Sequence, residues 1–303
     1  MTVSSLLLTV LLGSSLLTSH FSLLTLLAGT LYVVATPLGN LGDLSARAAE
    51  VLRTVSVVAA EDTRRTRGLL SHLEASPTTL SFHAHSDDRR TEAILEILRA
   101  GRDVALVSDA GTPAVSDPGT DLVAAVRAAG LSVIPIPGAS AVATALSASG
   151  VPADRYLFLG FLPRKGAERA RLLARVGEEE WTVVVFEAPV RLVQLLRDLA
   201  EAAGPDRRAV VARELTKIHE EFQEGTLAEL ADYYSENPPR GEVTVVVAGT
   251  GTPAAGPDRT EDAVEQATGL LAEGLSRREV ARRLTETLGL SRNDAYRLVM
   301  GLP

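Results

Sequence analysis

A chain of 303 residues is too long for one ordinary hydrophobic core and calls for two or three domains. With 46% hydrophobic and 22% charged residues it has a globular make-up, which excludes wholesale disorder. A net charge of −8 excludes a polycation that holds nucleic acid by bulk attraction, and the lack of Cys excludes disulfides, iron–sulfur clusters and thiol nucleophiles and suits a reducing cytosol.

Residues 1–28 stand apart. No charged residue precedes Asp43, and Leu6 to Leu27 is mostly Leu, Ser and Thr. The segment is long enough to span a bilayer, but it has neither the basic start of a signal peptide nor a Lys or Arg to set orientation. It reads as an appended or misread start rather than an anchor.

From Leu31 short apolar runs alternate with amphipathic stretches. Strands are predicted at Leu31–Ala35, Val55–Ala60, Thr79–Phe82, Val104–Val107 and Val133–Ile136. Helices are predicted at Asp43–Leu52, Thr63–His72, Arg89–Ala100, Asp121–Ala129 and Ser140–Ser149. Such alternation predicts an α/β domain over 29–150 with a largely parallel sheet. A second α/β domain is expected over 151–249. Its strands are Tyr156–Leu159, Trp181–Phe186, Ala209–Ala212 and Val243–Ala248. Its helices are Ala167–Val176, Arg191–Ala202 and Leu227–Tyr234. Residues 250–259 form a Gly/Pro/Ala linker, and 260–303 a small helical module. In that module Ser276–Glu279 is a capping box and Ser291–Asp294 a shorter-armed one. Two short helices parted by Leu288-Gly289-Leu290 resemble a helix-turn-helix.

Three loops follow strands at the edge where α/β sheets bind ligands. The first, Pro37-Leu38-Gly39-Asn40-Leu41-Gly42, is neither a dinucleotide fingerprint nor a Walker loop. The second, Ser108 to Gly119, is long for a connection within an α/β unit, and such loops are often functional. Asp109 at its start can accept from a ligand, or the loop can be a capped turn. The third, Pro135 to Ala141, opens a small-residue helix whose first N–H groups are available to a ligand.

Together with these loops, the runs AAEDTRRT, SFHAHS, SDAGTPAVSDPG, PGASA, FLPRKG, VFEAPVR and ARELTKIHEEF are similar to the tetrapyrrole-methylase-like family of S-adenosylmethionine-dependent methyltransferases. The resemblance covers residues 29 to 303 in order. Within the family the chain is most similar to the branch that methylates a cytidine 2′-oxygen in the decoding region of 16S ribosomal RNA, within the small ribosomal subunit. The resemblance implies two α/β domains with S-adenosyl-L-methionine in the cleft between them, a homodimer, a cytoplasmic location and no metal. It places the cofactor at Pro37, Gly39, Asn40, Asp109, Ala110, Gly111, Thr112, Ser140 and Ala141. The second-domain motif usually carries His where this chain has Val190.

A ribose hydroxyl is a weak nucleophile that must lose its proton, so a base is useful. Glu61, Asp62, Glu187 and Glu214 are candidates, and the choice stays open. An ion-paired helix start is the alternative for Glu61 and Asp62, beside Arg64 and Arg65. His83 and His85 with Asp87 and Asp88 lack a third spaced ligand set, so they read as RNA-contacting or structural. RNA contact is expected at Arg64, Arg164, Lys165, Arg191, Arg213 and Lys217, and in the tail at Arg277, Arg278, Arg282 and Arg283. Arginines on a solvated face are the alternative. Two other functions share the fold: C-methylation of a corrinoid or sirohaem precursor, and a non-enzymatic ribosome-assembly role.

Overall fold

A computed structural model describes residues 28–83, 88–251, 258–288 and 292–302. The leader expectation falls on residues 1–27, outside the described residues, as do His85 and Asp87. The chain divides into two compact units. The first runs up to Ala148 and takes in Ala212–Glu221, and the second holds Ser149–Val211 and everything from Phe222 onward.

The first sheet has the order β3-β2-β4-β1-β5. Its strands are β1 (Thr30–Val34), β2 (Val57–Ala60), β3 (Thr78–Ser81), β4 (Val104–Val107) and β5 (Ser132–Ile136), all paired in parallel. β2 and β4 are continuous apolar runs buried at every position, as strands covered on both faces must be. β5 lies at the edge, where its Pro135 is tolerated.

Helices α1 (Ala46–Thr54) and α2 (Thr63–His72) pack Ala48, Leu52 and Leu70 against Val34, Val58, Ala60 and Val107 on one face. Helices α3 (Asp88–Arg99) and α4 (Thr120–Ala128) pack Ile94, Leu98, Leu122 and Val126 against Leu31, Val57, Ala59 and Leu106 on the other. A fifth helix, α5 (Ala141–Ala148), follows β5. The chain therefore leaves β1 toward one face and β4 toward the other, though the two strands are neighbours. Such a switch point opens a crevice at the strand ends.

The predicted helix over Asp43–Leu52 needs correction. Leu41–Asp43 is a single 3-10 turn, and α1 starts only at Ala46, where the Ser45 hydroxyl accepts from the Ala48 N–H at 3.1 Å. A serine cap outweighed the acidic residue that suggested an earlier start.

The second sheet has the order β6-β7-β10-β8-β9. Strand β6 (Tyr156–Phe161) runs parallel to β7 (Thr182–Glu187), and β10 (Val243–Val247) antiparallel to it. Val183, Val185, Val243, Val245 and Val247 share one core with helices α6 (Ala167–Glu178), α7 (Leu192–Ala203) and α8 (Leu227–Glu236). The residues of this core alternate along the strands, and those between them, Thr182, Val184, Thr244 and Val246, are buried as well. Strand β8 (Arg208–Arg213) adjoins β9 (Glu221–Thr226), which sequence reasoning missed. β9 reads EFQEGT, too polar to signal a strand, and it forms an edge.

Three helices close the chain: α9 (Asp258–Ala272), α10 (Arg277–Leu288) and α11 (Arg292–Gly301). Ala267, Val280, Leu284, Ala295 and Val299 are their shared core. The Ser276 capping box forms in both directions, with Glu279 N–H to the Ser276 hydroxyl at 3.3 Å and Ser276 N–H to the Glu279 carboxylate at 3.2 Å. The second box involves residues 291–294, whose side chains lie outside the described ones. Among the described residues no helix is long and apolar enough to cross a membrane.

Candidate active site

The three loops of the first unit are tied to one another. Thr36 and Gly111 form an antiparallel bridge, with Thr36 N–H to Gly111 O at 2.8 Å and Gly111 N–H to Thr36 O at 3.0 Å. The Thr36 hydroxyl donates to Ser108 O, and the Thr112 hydroxyl to Ala139 O at 3.1 Å. Gly111 has φ +79°, and a Cβ there would lie 3.3 Å from Leu38, so glycine suits the position twice over.

Beside this knot lies a cavity of about 310 Å³. Its walls are Thr36, Pro37, Gly39 and Leu41 after β1, Ser108 and Asp109 after β4, and Arg65, Thr66, Gly68 and Leu69 from the first turns of α2. A volume of that order is at the lower end of small-molecule sites, roughly 300–1,000 Å³. Asn40 is at the rim: its side chain accepts from Gly42 N–H and its own N–H donates to the Thr216 hydroxyl at 3.1 Å. Ala110 and Thr112 continue the Asp109 loop. Ser140, whose carbonyl accepts from Thr144 N–H, precedes α5, and Ala141 begins it.

The acidic residues at the ends of β2 and β4 clasp each other. Asp109 accepts from the Asp62 N–H at 3.0 Å, and the Asp109 N–H in turn hydrogen-bonds the Glu61 carboxylate. Arg65 stands 3.6 Å from Asp109. The Asp62 carboxylate caps α2, accepting from Arg64 N–H at 2.8 Å. Glu61 is pushed above the usual carboxylate range, first by its partial burial and then by the neighbouring charge of Asp109. A carboxylate so raised is a better proton acceptor.

Residues 212–221 complete this unit. Lys217 pairs with Glu214 at 2.8 Å, and its aliphatic stem lies across Gly39, where a Cβ would meet Lys217 Cγ at 2.2 Å. Arg213 pairs with Glu221. Glu214 and Thr216 have φ of +51° and +65°, and Ala114 and Ser116 in the Asp109 loop +66° and +63°. Non-glycine residues seldom adopt such values, and those that do gather at ligand sites.

The remaining candidates belong to the second unit. Glu187, at the end of β7, is 1% exposed in its side chain, ion-paired to Arg191 and bonded to the Ala188 N–H at 2.8 Å. Val190 in the same turn is 92% exposed. Arg164 and Lys165 are exposed after β6, as is Arg64 on α2 of the first unit. Arg277, Arg278, Arg282 and Arg283 are all exposed on α10, and Arg277 also donates to Val299 O at 3.0 Å, at the end of α11. Sequence reasoning missed Thr36 and Thr216. A buried threonine directly after a strand was the available signal for the first, and no local pattern marks the second.

The family model for tetrapyrrole (corrin/porphyrin) methylases matches residues 30–231. The chain belongs to the tetrapyrrole methylase family. It is a methyltransferase, and its relatives within the family include proteins named ribosomal RNA small subunit methyltransferase I. One from Synechocystis is 47% identical over 275 residues, covering 90% of this chain and 98% of the relative. One from Micromonospora olivasterospora is 48% identical over 273 residues, covering 90% and 87%. Among solved structures, a cobalt precorrin-4 methyltransferase aligns with a TM-score of 0.58 at 17% identity, covering 72% of this chain and 94% of that one. A Thermus thermophilus uroporphyrin-III C-methyltransferase complexed with S-adenosylhomocysteine aligns with a TM-score of 0.53 at 20% identity, covering 73% and 97%. These structures share the tetrapyrrole methylase fold.

Proposed function

We propose that this methyltransferase transfers the methyl group of S-adenosylmethionine to a cytidine ribose 2′-oxygen of 16S ribosomal RNA, in the decoding region of the small subunit. The observation that carries the reading is identity near 47% along almost the whole length of relatives named for the small-subunit RNA. The corrin and porphyrin enzymes share the fold at identities of only about half that or less.

The residues of the first unit fit the donor. The cavity is of suitable size, its Asp109 provides a carboxylate, and the loops at Pro37–Asn40 and Asp109–Thr112 and the start of α5 at Ser140 and Ala141 would hold the molecule. The donor supplies a methyl group already activated on a sulfonium, so the protein's main task is alignment. Glu61 takes the proton of the ribose hydroxyl, and the Asp109 N–H holds its carboxylate in place. Asp62 serves the cap of α2. Glu187 and Arg191 brace the second unit rather than react.

RNA binding falls to exposed cations. Arg64, Arg164, Lys165, Arg278, Arg282 and Arg283 supply them, while Arg277 positions α11. The protein acts in the cytoplasm as a homodimer. Along the chain its domains run over 29–150 and 151–249, with 212–221 lent to the first, a linker at 250–259 and the helical module over 260–303. Replacing Arg278, Arg282 and Arg283 together by Ala should raise the KM for small subunits and leave donor affinity unchanged.

Ribose-methylation mapping of 16S RNA from a strain lacking the gene, with and without the gene restored, tests the reading. One cytidine should lose and regain its 2′-O-methyl group. An unchanged methylation map, with methylation of a tetrapyrrole by the purified enzyme, overturns it.

A further inference from the structure

Strand β6 carries a device that the reaction described above does not use. Its register against β7 is Tyr156 to Thr182, Leu157 to Val183 and Phe158 to Val184, then it slips by one residue, giving Gly160 to Val185 and Phe161 to Phe186. Leu159 is the additional residue, and Gly160 takes up the bend at φ +61°. Side chains alternate along a strand, so a slip of one residue reverses every face beyond it. Without the bulge Phe161 would oppose Glu187 and lie on the same face as Val183 and Val185, which packs against α6, α7 and α8. With it, Phe161 joins Phe158 and Phe186 on the opposite face.

That face holds Phe161 without burying it. The Phe186 ring meets Phe158 edge-on at 4.9 Å and Phe161 edge-on at 5.5 Å. Yet Phe161 stays 54% exposed, a large apolar surface to leave in water. Three and four residues further on, Arg164 and Lys165 are both exposed. An aromatic ring fixed by its neighbours, with cations just beyond it, is the arrangement by which proteins hold an unpaired base: the ring stacks and the cations take the phosphates. The charge of the cations argues for a nucleic acid over an apolar protein surface.

We propose that Phe161 is a stacking platform for an unpaired base of the RNA substrate, with Arg164 and Lys165 contacting the adjoining phosphates. This rests on the RNA reading above and adds a specificity residue to it. The test uses the full chain, small ribosomal subunits from a strain lacking the gene, and a methyl-labelled donor. Phe161→Ala should raise the KM for the subunits about tenfold, the scale of one lost base stack. kcat should stay within about twofold, since the loss is one of binding. Affinity for S-adenosylhomocysteine by calorimetry should be unchanged, and Phe161→Trp should restore the KM. Replacing Arg164 and Lys165 together by Ala, both on the surface, should raise the KM and lower the salt slope by about 2.

An unchanged KM in folded Phe161→Ala overturns the proposal alone. So does a KM change that tracks dissociation of a dimer in sedimentation, which would make this face a contact between two copies. Failure of the unaltered enzyme to methylate any small-subunit RNA overturns the RNA reading and the proposal with it.

Discussion

The two sheets use a carboxylate at a strand end in opposite ways. In the first, Glu61 and Asp109 follow neighbouring parallel strands and are linked through main-chain N–H groups, and Asp109 lines a cavity. In the second, Glu187 ends a strand of a mixed sheet, is sealed from water and is neutralised by Arg191. The first arrangement leaves Asp109 partly open to a crevice, because a switch point sends the two connections to opposite faces. In the second, the chain turns at once through Pro189–Arg191 and brings its own cation back to the carboxylate. Strand-end position alone does not make a catalytic acid or base; what the chain does next decides it.

The sharpest break of this contrast is Glu187→Ala. Removing one partner of a buried ion pair costs about 3–5 kcal/mol. Denaturant unfolding should show a loss of that order. Full stability with abolished methyl transfer would instead make Glu187 a reacting group.

Asp109→Ala comes next. It leaves the Asp62 N–H without its acceptor, a cost of about 1–3 kcal/mol. Calorimetry should show weakened binding of S-adenosylhomocysteine as well, since the loops of the cavity lose their brace. Unaltered affinity in a folded variant would remove Asp109 from the site.

Gly39→Ala tests whether the first cavity needs its lid from the later segment. The added methyl collides with the Lys217 stem, and overpacking of this kind costs about 1–3 kcal/mol when nothing yields. Because both residues are near the surface, the lower end is expected, with donor affinity falling several-fold. An unaffected affinity would mean that Lys217 moves aside without consequence.

The smallest effect belongs to Glu61→Gln, and it depends on pH. A carboxylate whose pKa is higher in the folded state binds protons more readily there, so stability falls as pH rises from its unfolded pKa through the raised folded one. Above that window Glu61 is a burden, and Glu61→Gln should raise Tm slightly at pH 7. At pH 4 and below, where Glu61 is largely protonated, the two proteins should melt alike. Methyl transfer by the unaltered enzyme should decline as pH drops through the raised pKa, and the Gln variant should be slow throughout. A Tm difference that grows toward low pH would contradict the burial of Glu61.

How far these features could be read in advance varied with how local their causes are. The helix Thr63–His72 and the strand Val104–Val107 coincide with their sequence expectation, because an Asp cap and a four-residue apolar run are complete signals within a few residues. The polar strand Glu221–Thr226 was missed because pairing at an edge, not its own pattern, makes it a strand. The sequence placed Glu187 and Arg191 four apart but could not show that the turn between them closes a pair. The bulge in β6 left a trace, since a glycine within a strand often marks one. Which face Phe161 would take depended on its register with β7. The contact of Gly39 with Lys217 had no trace at all, being made by residues far apart in the chain.

That last contact gives the site a history in time. The five strands of the first sheet have all been made by Ile136, yet the hydroxyl that receives the Asn40 N–H and the stem that covers Gly39 belong to Thr216 and Lys217. At about 5–20 residues per second, a ribosome needs several seconds more to deliver them. During that interval the nascent chain carries the cavity's strands and loops without its closing segment. A chain released before Thr216 and Lys217 are made should therefore bind S-adenosylhomocysteine more weakly than the full chain, and calorimetry on the shortened chain checks it.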